Sequence, residues 1–271
     1  MSIAVDSGAG LDLDALRLGF IGSGTITSAI VTGLRANGAS RPSVTLSPRN
    51  AAVAQRLART HPGVTVATGN QHVLDASDVV LLAVRPQVAA DVLAELRFRP
   101  QHRVISLVAT FSHARISSLV APASHAACAV PMPTVASHLG PTPIYPPDAV
   151  AAALFDRLGT AIEVTAESEL QMLWASTAAM ASFFTVLHTI EQWLVSHGVT
   201  ATRARAHVAM MFDGLARVPR SSDLSFLELA EEFKTKGGLN EQYAAGLARA
   251  GAFDAWSAAA DGVLARIQRG A

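Results

Sequence analysis

The chain has 271 residues, half of them hydrophobic, which suits one large or two medium domains with a substantial buried core. Lys plus Arg equals Asp plus Glu at 21 each, so no net charge recommends nucleic acid or an anionic membrane as the main partner, and any positive patch has to be local. The single cysteine, Cys128, excludes an internal disulfide and points to a cytoplasmic setting; among Ala126, Ala127 and Ala129 it reads as packing rather than as a nucleophile.

Residues 1–16 carry Asp6, Asp12 and Asp14 and no basic segment ahead of an apolar run, so they read as a loose N-terminal extension rather than a signal peptide, with order expected from about Leu16. The stretch from Arg17 to Gly38 then organises everything after it. Leu18 to Ile21 has the length of a strand, and Ala29, Ile30 and Leu34 recur at helical spacing. The period changes at Gly22-Ser23-Gly24-Thr25-Ile26. A strand, a tight glycine turn and a helix are what a dinucleotide's pyrophosphate requires: Gly22 permits the sharp turn, Gly24 removes a Cβ from its path, and the N–H groups at the helix start face it. Thr27 stands where a third glycine of the pattern would be.

Ser43 to Leu46 is the second strand, and its end offers Ser47, Arg49 and Asn50 where an acidic residue would select NAD. A hydroxyl, a guanidinium and an amide there favour a 2′-phosphate, hence NADP(H). The other reading of Arg49 is a solvated side chain opening the helix Ala51 to Thr60. Further on come a strand at Val64 to Val66, a short helix at Asn70 to Asp75, and Asp78 to Val84, a strand apolar on both faces as in the middle of a parallel sheet. It stops at Arg85-Pro86-Gln87, a loop either touching the cofactor or serving only as punctuation. A helix (Val88 to Leu96), a strand (Arg103 to Val108), a helix (Ser112 to Leu119) and a sixth strand (Ser124 to Val130) follow. Such alternation predicts an α/β, Rossmann-type doubly wound parallel sheet over residues 17–165.

The proline-rich passage 140–147 precedes a last strand and helix through Val164, with a linker at Thr165 to Glu169. Residues 166–271 then read as an all-α half. Leu170 to His197 forms one helix of about 40 Å. It carries no Asp, Glu, Lys or Arg from Leu170 to Ile190, but its hydroxyl, amide and imidazole groups argue against a membrane span. With apolar residues all round, it needs cover on every side, which implies a homodimer whose helices interlock. Helices from Ala201 to Val218, Leu224 to Phe233, Glu241 to Ala250 and Phe253 to Ile267 complete this half. No His-Glu-x-x-His, Cys-x-x-Cys or paired-carboxylate pattern points to a metal, and His188, His197 and His207 read as core or surface.

From Arg17 onward the sequence resembles the pyrroline-5-carboxylate reductases, which reduce a cyclic imino acid to proline with NAD(P)H. Phe20-Ile-Gly-Ser-Gly-Thr-Ile-Thr-Ser-Ala-Ile30 follows the family's I-G-x-G-x-M-A-x-A-I opening, with Gly33 at its helix glycine. Asn70 matches an asparagine near the adenosine, Ala83-Val84-Arg85-Pro86-Gln87 matches its A-V-K-P-Q cofactor loop, and Met132-Pro133 is similar to its M-P-N-T-P turn. The family's S-G-S-G-P-A-Y opening of the long helix becomes Ser176-Thr177-Ala-Ala-Met180-Ala-Ser182. Its S-P-G-G-T-T signature, which holds the substrate carboxylate, becomes Thr235-Lys236-Gly237-Gly238-Leu239-Asn240.

The resemblance implies an enzyme in which Thr235, Gly237, Gly238 and Asn240 fix an anionic group and Lys236 adds attraction. Lys236 is the one candidate catalytic residue, as a general acid if a carbonyl rather than an imine is reduced, and is otherwise a solvated lysine. Asp223 is a lesser candidate for a substrate amine. Alternatives are a relative that uses the same cofactor on another imino, keto or hydroxy acid, and a non-catalytic NADP-binding dimer.

Overall fold

A computed structural model describes residues 12–36 and 42–270. Residues 1–11 of the expected extension, and Gly38, lie outside them. The described chain already packs at Leu13, which is buried in a 3₁₀ turn, Leu13–Ala15, while Asp14 pairs with Arg157 at 2.8 Å. Packing is therefore already present at Leu13, three residues before the expected Leu16.

The chain divides into two compact units, residues 12–174 with 266–270, and residues 175–265. The first alternates β1 (Arg17–Ile21), α1 (Thr25–Arg35), β2 (Ser43–Leu46), α2 (Ala51–Thr60), β3 (Val64–Val66), α3 (Asn70–Asp75), β4 (Val79–Leu82), α4 (Pro86–Ala94), β5 (Arg103–Ser106), α5 (His113–Leu119), β6 (His125–Ala129), β7 (Pro141–Tyr145), α6 (Ala149–Asp156) and β8 (Thr160–Glu163). The eight strands form one sheet in the order β3-β2-β1-β4-β5-β6-β7-β8. It is parallel from β3 through β6; β7 runs antiparallel to β6, and β8 parallel to β7.

The side-chain period of two sorts the core into two layers. Leu18, Phe20, Val79 and Leu81 join one cluster with Ile30 and Leu34 of α1, Leu57 of α2 and Phe155 of α6. Ile21, Val80 and Leu82 join the other with Leu74 of α3, Leu93 of α4 and Ile116 of α5. Helices thus cover both faces, and this is why β4 reads as an unbroken apolar run: all four of its residues are fully buried. Ser112 caps α5, and Asp148 caps α6 while pairing with Arg103 at 2.8 Å. Cys128 is buried in the second layer. Burial pushes its thiol up to about 12, helped by the charge of Glu167, so it stays protonated at neutral pH and is no nucleophile.

Three expectations need correction. The proline-rich passage is itself a strand, β7. Its pairing to β6 is confined to Cys128–Tyr145 and Ala129–Ile144, and Pro143 contributes its carbonyl, accepting from Val130 N–H at 3.0 Å. A proline lacks only the donor, and here the sheet uses the acceptor. The linker expected at 165–169 is occupied from Glu167 by α7 (Glu167–Thr177), and the single long helix is broken at Ala178, from which α8 (Ala179–Ser196) continues.

The second unit holds α8, α9 (Ala201–Arg217), α10 (Phe226–Glu232), α11 (Leu239–Arg249) and most of α12 (Ala252–Gln268). Helix α10 starts on a capping box in which Ser225 and Glu228 each bond the other's backbone N–H. Phe183 of α8 meets Phe212 of α9 edge to face at 6.0 Å. Yet Phe184, Trp193, Met210 and Phe226 are 67, 58, 70 and 80% exposed, and α8 has no buried residue. The run Glu167–Ser196 is long and apolar enough, by length and composition, to cross a membrane.

Candidate dinucleotide cleft and substrate turn

At the carboxyl end of β1 the chain turns at Gly22 with φ +107°. Only glycine adopts this freely, and a Cβ there would lie 2.5 Å from the carbonyl oxygen of Ala83, where β4 ends. The turn is held from three sides. Gly22 N–H donates to Ser47 Oγ at 3.0 Å, Ser23 Oγ donates to Ser47 O at 2.7 Å, and Thr27 Oγ1 donates to Gly22 O at 2.8 Å. Gly24 is the N-cap of α1, with no side-chain cap, and a Cβ built on it meets nothing within 4 Å. The first-turn amides at Thr25 and Ile26 have no partner within their own helix and sit at its positive end. Such a cradle, open above Gly24 and walled by backbone, fits a pyrophosphate.

Strand register puts the other candidates on the same edge. Phe20 pairs with Leu46 and Ile21 with Leu82, so Ser47, Gly22 and Ala83 leave three adjacent strands side by side. The strand order reverses between β1 and β4, where open α/β sheets bind their ligands. Arg49 and Asn50 are exposed just before α2, and neither side chain has a hydrogen bond or ion pair among the described residues. Asn70 opens α3 beyond β3. Arg85 is the N-cap of α4, Pro86 its first residue, and Val84 is half-buried between them and β4.

Ser47 is the correction here. It is 1% exposed, and its hydroxyl oxygen accepts from Gly22 N–H, so its place in this structure is beneath the cradle, supporting the turn. The Ser23 hydroxyl is likewise turned to Ser47, which leaves Ser23 only its backbone to offer. Thr27 is fully buried, its hydroxyl closing the turn that the missing third glycine left open. Sequence reasoning missed the two Ser47 bonds because their partners lie 25 and 24 residues away in the chain; a serine ending an apolar strand was the only sign.

The substrate candidates lie in the second unit. Gly237 has φ +72°, and its N–H donates to Glu241 Oε2 at 2.6 Å. Gly238 N–H donates to Thr235 O at 2.7 Å, and Asn240 Nδ2 donates to Phe233 O at 2.8 Å. The turn therefore satisfies itself: the Asn240 amide and the two glycine amides expected to hold an anion already have acceptors. Glu241, which the sequence reading passed over, supplies one of them. Thr235, Lys236 and Asp223 are exposed, and their side chains have no partner among the described residues. No group of three or more His, Cys, Asp or Glu among the described residues could hold a metal ion, and His188, His197 and His207 are all exposed.

Residues 17–110 match the family model described as NADP oxidoreductase, coenzyme F420-dependent. The pyrroline-5-carboxylate reductase of Pasteurella multocida is 28% identical over 240 residues, 83% of this chain and 87% of that one. Among solved structures, a 1-pyrroline-5-carboxylate reductase from Streptococcus pyogenes superposes with a TM-score of 0.82 at 21% identity, over 94% of this chain and 99% of that one. A Plasmodium falciparum pyrroline carboxylate reductase with NADP bound gives 0.81 at 15% identity, over 96% and 99%. The two structures share the fold, and the Pasteurella sequence aligns over most of the chain. With that likeness and the glycine cradle together, the chain is similar to the pyrroline-5-carboxylate reductases over most of its length.

Proposed function

We propose that the chain is an NADPH-dependent reductase of the C=N bond of a small cyclic imino acid, of the pyrroline-5-carboxylate kind. The observation that carries the reading is the Gly22–Gly24 cradle: a backbone turn that excludes any Cβ on one side, opens to solvent on the other and ends on first-turn helix amides that no side chain caps among the described residues. The bound dinucleotide supplies a hydride. The protein's work is then to bind and orient, since a protonated imine is already electrophilic and needs little acid catalysis. The α1 amides hold the pyrophosphate, Arg49 takes the 2′-phosphate, the 83–86 loop borders the cleft, and Lys236 attracts an anionic substrate. NADPH oxidation followed with pyrroline-5-carboxylate, larger cyclic imines and keto acids tests the reading, and no turnover with any imine would remove it.

Arg49→Ala is expected to lower the preference for NADPH over NADH by about tenfold to a hundredfold, the worth of hydrogen bonds to a charged group. Steady-state constants for the two cofactors measure it, and an unchanged ratio would take the role from Arg49.

A second reading, the same cofactor with another imino or keto acid, is favoured by Glu241. Its carboxylate occupies Gly237 N–H, one of the amides meant for the substrate's own carboxylate. The substrate series in the same assay separates the two.

The apolar surface of the second unit supports a homodimer through its helices, because exposed Phe184, Trp193, Met210 and Phe226 gain by mutual burial. Sedimentation in detergent-free buffer is expected to give twice the chain mass; a single-chain mass, or recovery only with membranes, would defeat the proposal.

A further inference from the structure

Two non-glycine residues among those described have positive φ, His138 at +58° and Thr110 at +66°. His138 has a local reason. It ends the 3₁₀ turn Pro133–Ser137, and its Nε2 donates to Gly33 O at 2.7 Å. Thr110 has none. A β-branched residue in the left-handed region is an outlier, and glycine would hold the same backbone without strain. The loop's own anchors do not involve the Thr110 side chain. Leu107 N–H donates to Leu82 O at 2.8 Å, Val108 N–H to Ser106 Oγ at 3.2 Å, Val108 and Phe111 are buried, and the Arg115 guanidinium lies 3.7 Å over the Phe111 ring. The Thr110 side chain is half-buried, and its hydroxyl has no hydrogen-bond partner among the described residues.

The loop's place supplies the missing reason. It leaves the carboxyl end of β5, next to β4, on the edge that carries the cradle. A dinucleotide crosses such an edge where the strand order reverses, one half over β1 and β2 and the other over β4 and β5. With Arg49 at the end of β2 marking the adenosine half, the nicotinamide half falls on the β5 side. We infer that Thr110 is held in its strained conformation by function: its hydroxyl hydrogen-bonds the carboxamide of the bound nicotinamide and sets the angle of the ring. This rests on the cofactor reading above, and Thr110 is a cofactor-positioning residue in addition to those proposed there.

The test compares NADPH with 2′-phospho-ADP-ribose, which keeps the phosphates and lacks the nicotinamide, by calorimetric titration. Thr110→Val keeps shape and strain and loses the hydroxyl. It is expected to bind NADPH about tenfold more weakly, the loss of one hydrogen bond, and the fragment as well as wild type, while Thr110→Ser stays near wild type for both. Thr110→Gly is expected to raise Tm by about 3 °C and to weaken NADPH as the valine variant does. Wild-type affinity for NADPH in the valine variant overturns the inference. A lower Tm in the glycine variant does so too, by showing that the fold needs the side chain. A wild-type protein that binds neither ligand would instead remove the cofactor reading, and the inference with it.

Discussion

Gly22→Ala is expected to abolish dinucleotide binding and to lower Tm by about 10 °C, whereas Gly24→Ala, two residues on, is expected to abolish much of the binding at almost no cost to stability. The two glycines face opposite constraints. At Gly22 a Cβ carries the cost of a left-handed backbone, about 1–3 kcal/mol, and also lies 2.5 Å from a backbone oxygen of β4's exit that cannot rotate away. Either the turn or the β4 loop has to move, and both border the cleft; about 3 kcal/mol in total is the natural scale. Gly24 has φ −95° and ψ −162°, which any residue adopts, and its Cβ would point into open space. Alanine there loses about 0.5–1 kcal/mol as an N-cap and recovers a similar amount by restricting the unfolded chain. That open space is where the pyrophosphate has to come down on the α1 amides, so NADPH affinity is expected to fall tenfold or more. Thermal unfolding and NADPH fluorescence titration on the two variants read both axes. Wild-type affinity in Gly24→Ala would place the phosphates elsewhere and sink the cradle.

What could be read without coordinates followed from rules local to a few residues. The change from a period of two to 3.6 at Gly22 marked the turn, and the apolar run at Val79–Leu82 marked a central strand. What could not be read was which polar groups would face inward. Ser47 looked like a ligand contact because it follows a strand on the right edge, but the fold places Gly22 N–H 3.0 Å from its oxygen, and burial decides the matter. In the same way Asn240 and Gly237 looked available until Phe233 O and Glu241 closed on them. The prolines of β7 concealed a strand, because sequence rules count the missing donor and overlook the surviving acceptor. The break at Ala178 left no mark, since alanine is the best helix former and nothing in its neighbours stops a helix.

Gly33→Ala is the case in which helix propensity and packing oppose each other most sharply, and packing is expected to win. Gly33 lies inside α1, where alanine would gain about 1 kcal/mol in an isolated helix. Here its Cβ would lie 2.4 Å from Val135 O and 2.7 Å from a Leu158 methyl. The methyl can rotate, but the carbonyl belongs to the 3₁₀ turn Pro133–Ser137, which is anchored by fully buried Val135 and tied to α1 by His138 bonded to Gly33 O. Restoring an ordinary contact needs a shift of about 1 Å between α1 and that turn, and overpacking of this size costs about 3 kcal/mol. The net expectation is a loss of about 2 kcal/mol, a Tm lower by about 5 °C, together with weaker NADPH binding, because the helix that moves is the one whose amides hold the pyrophosphate. Stability and affinity should therefore fall together in Gly33→Ala, in contrast to Gly24→Ala, where they separate. A raised Tm, the propensity gain uncorrected, would mean that the 133–137 turn does not seat α1, and the cleft would have to owe its geometry to the β1 turn alone.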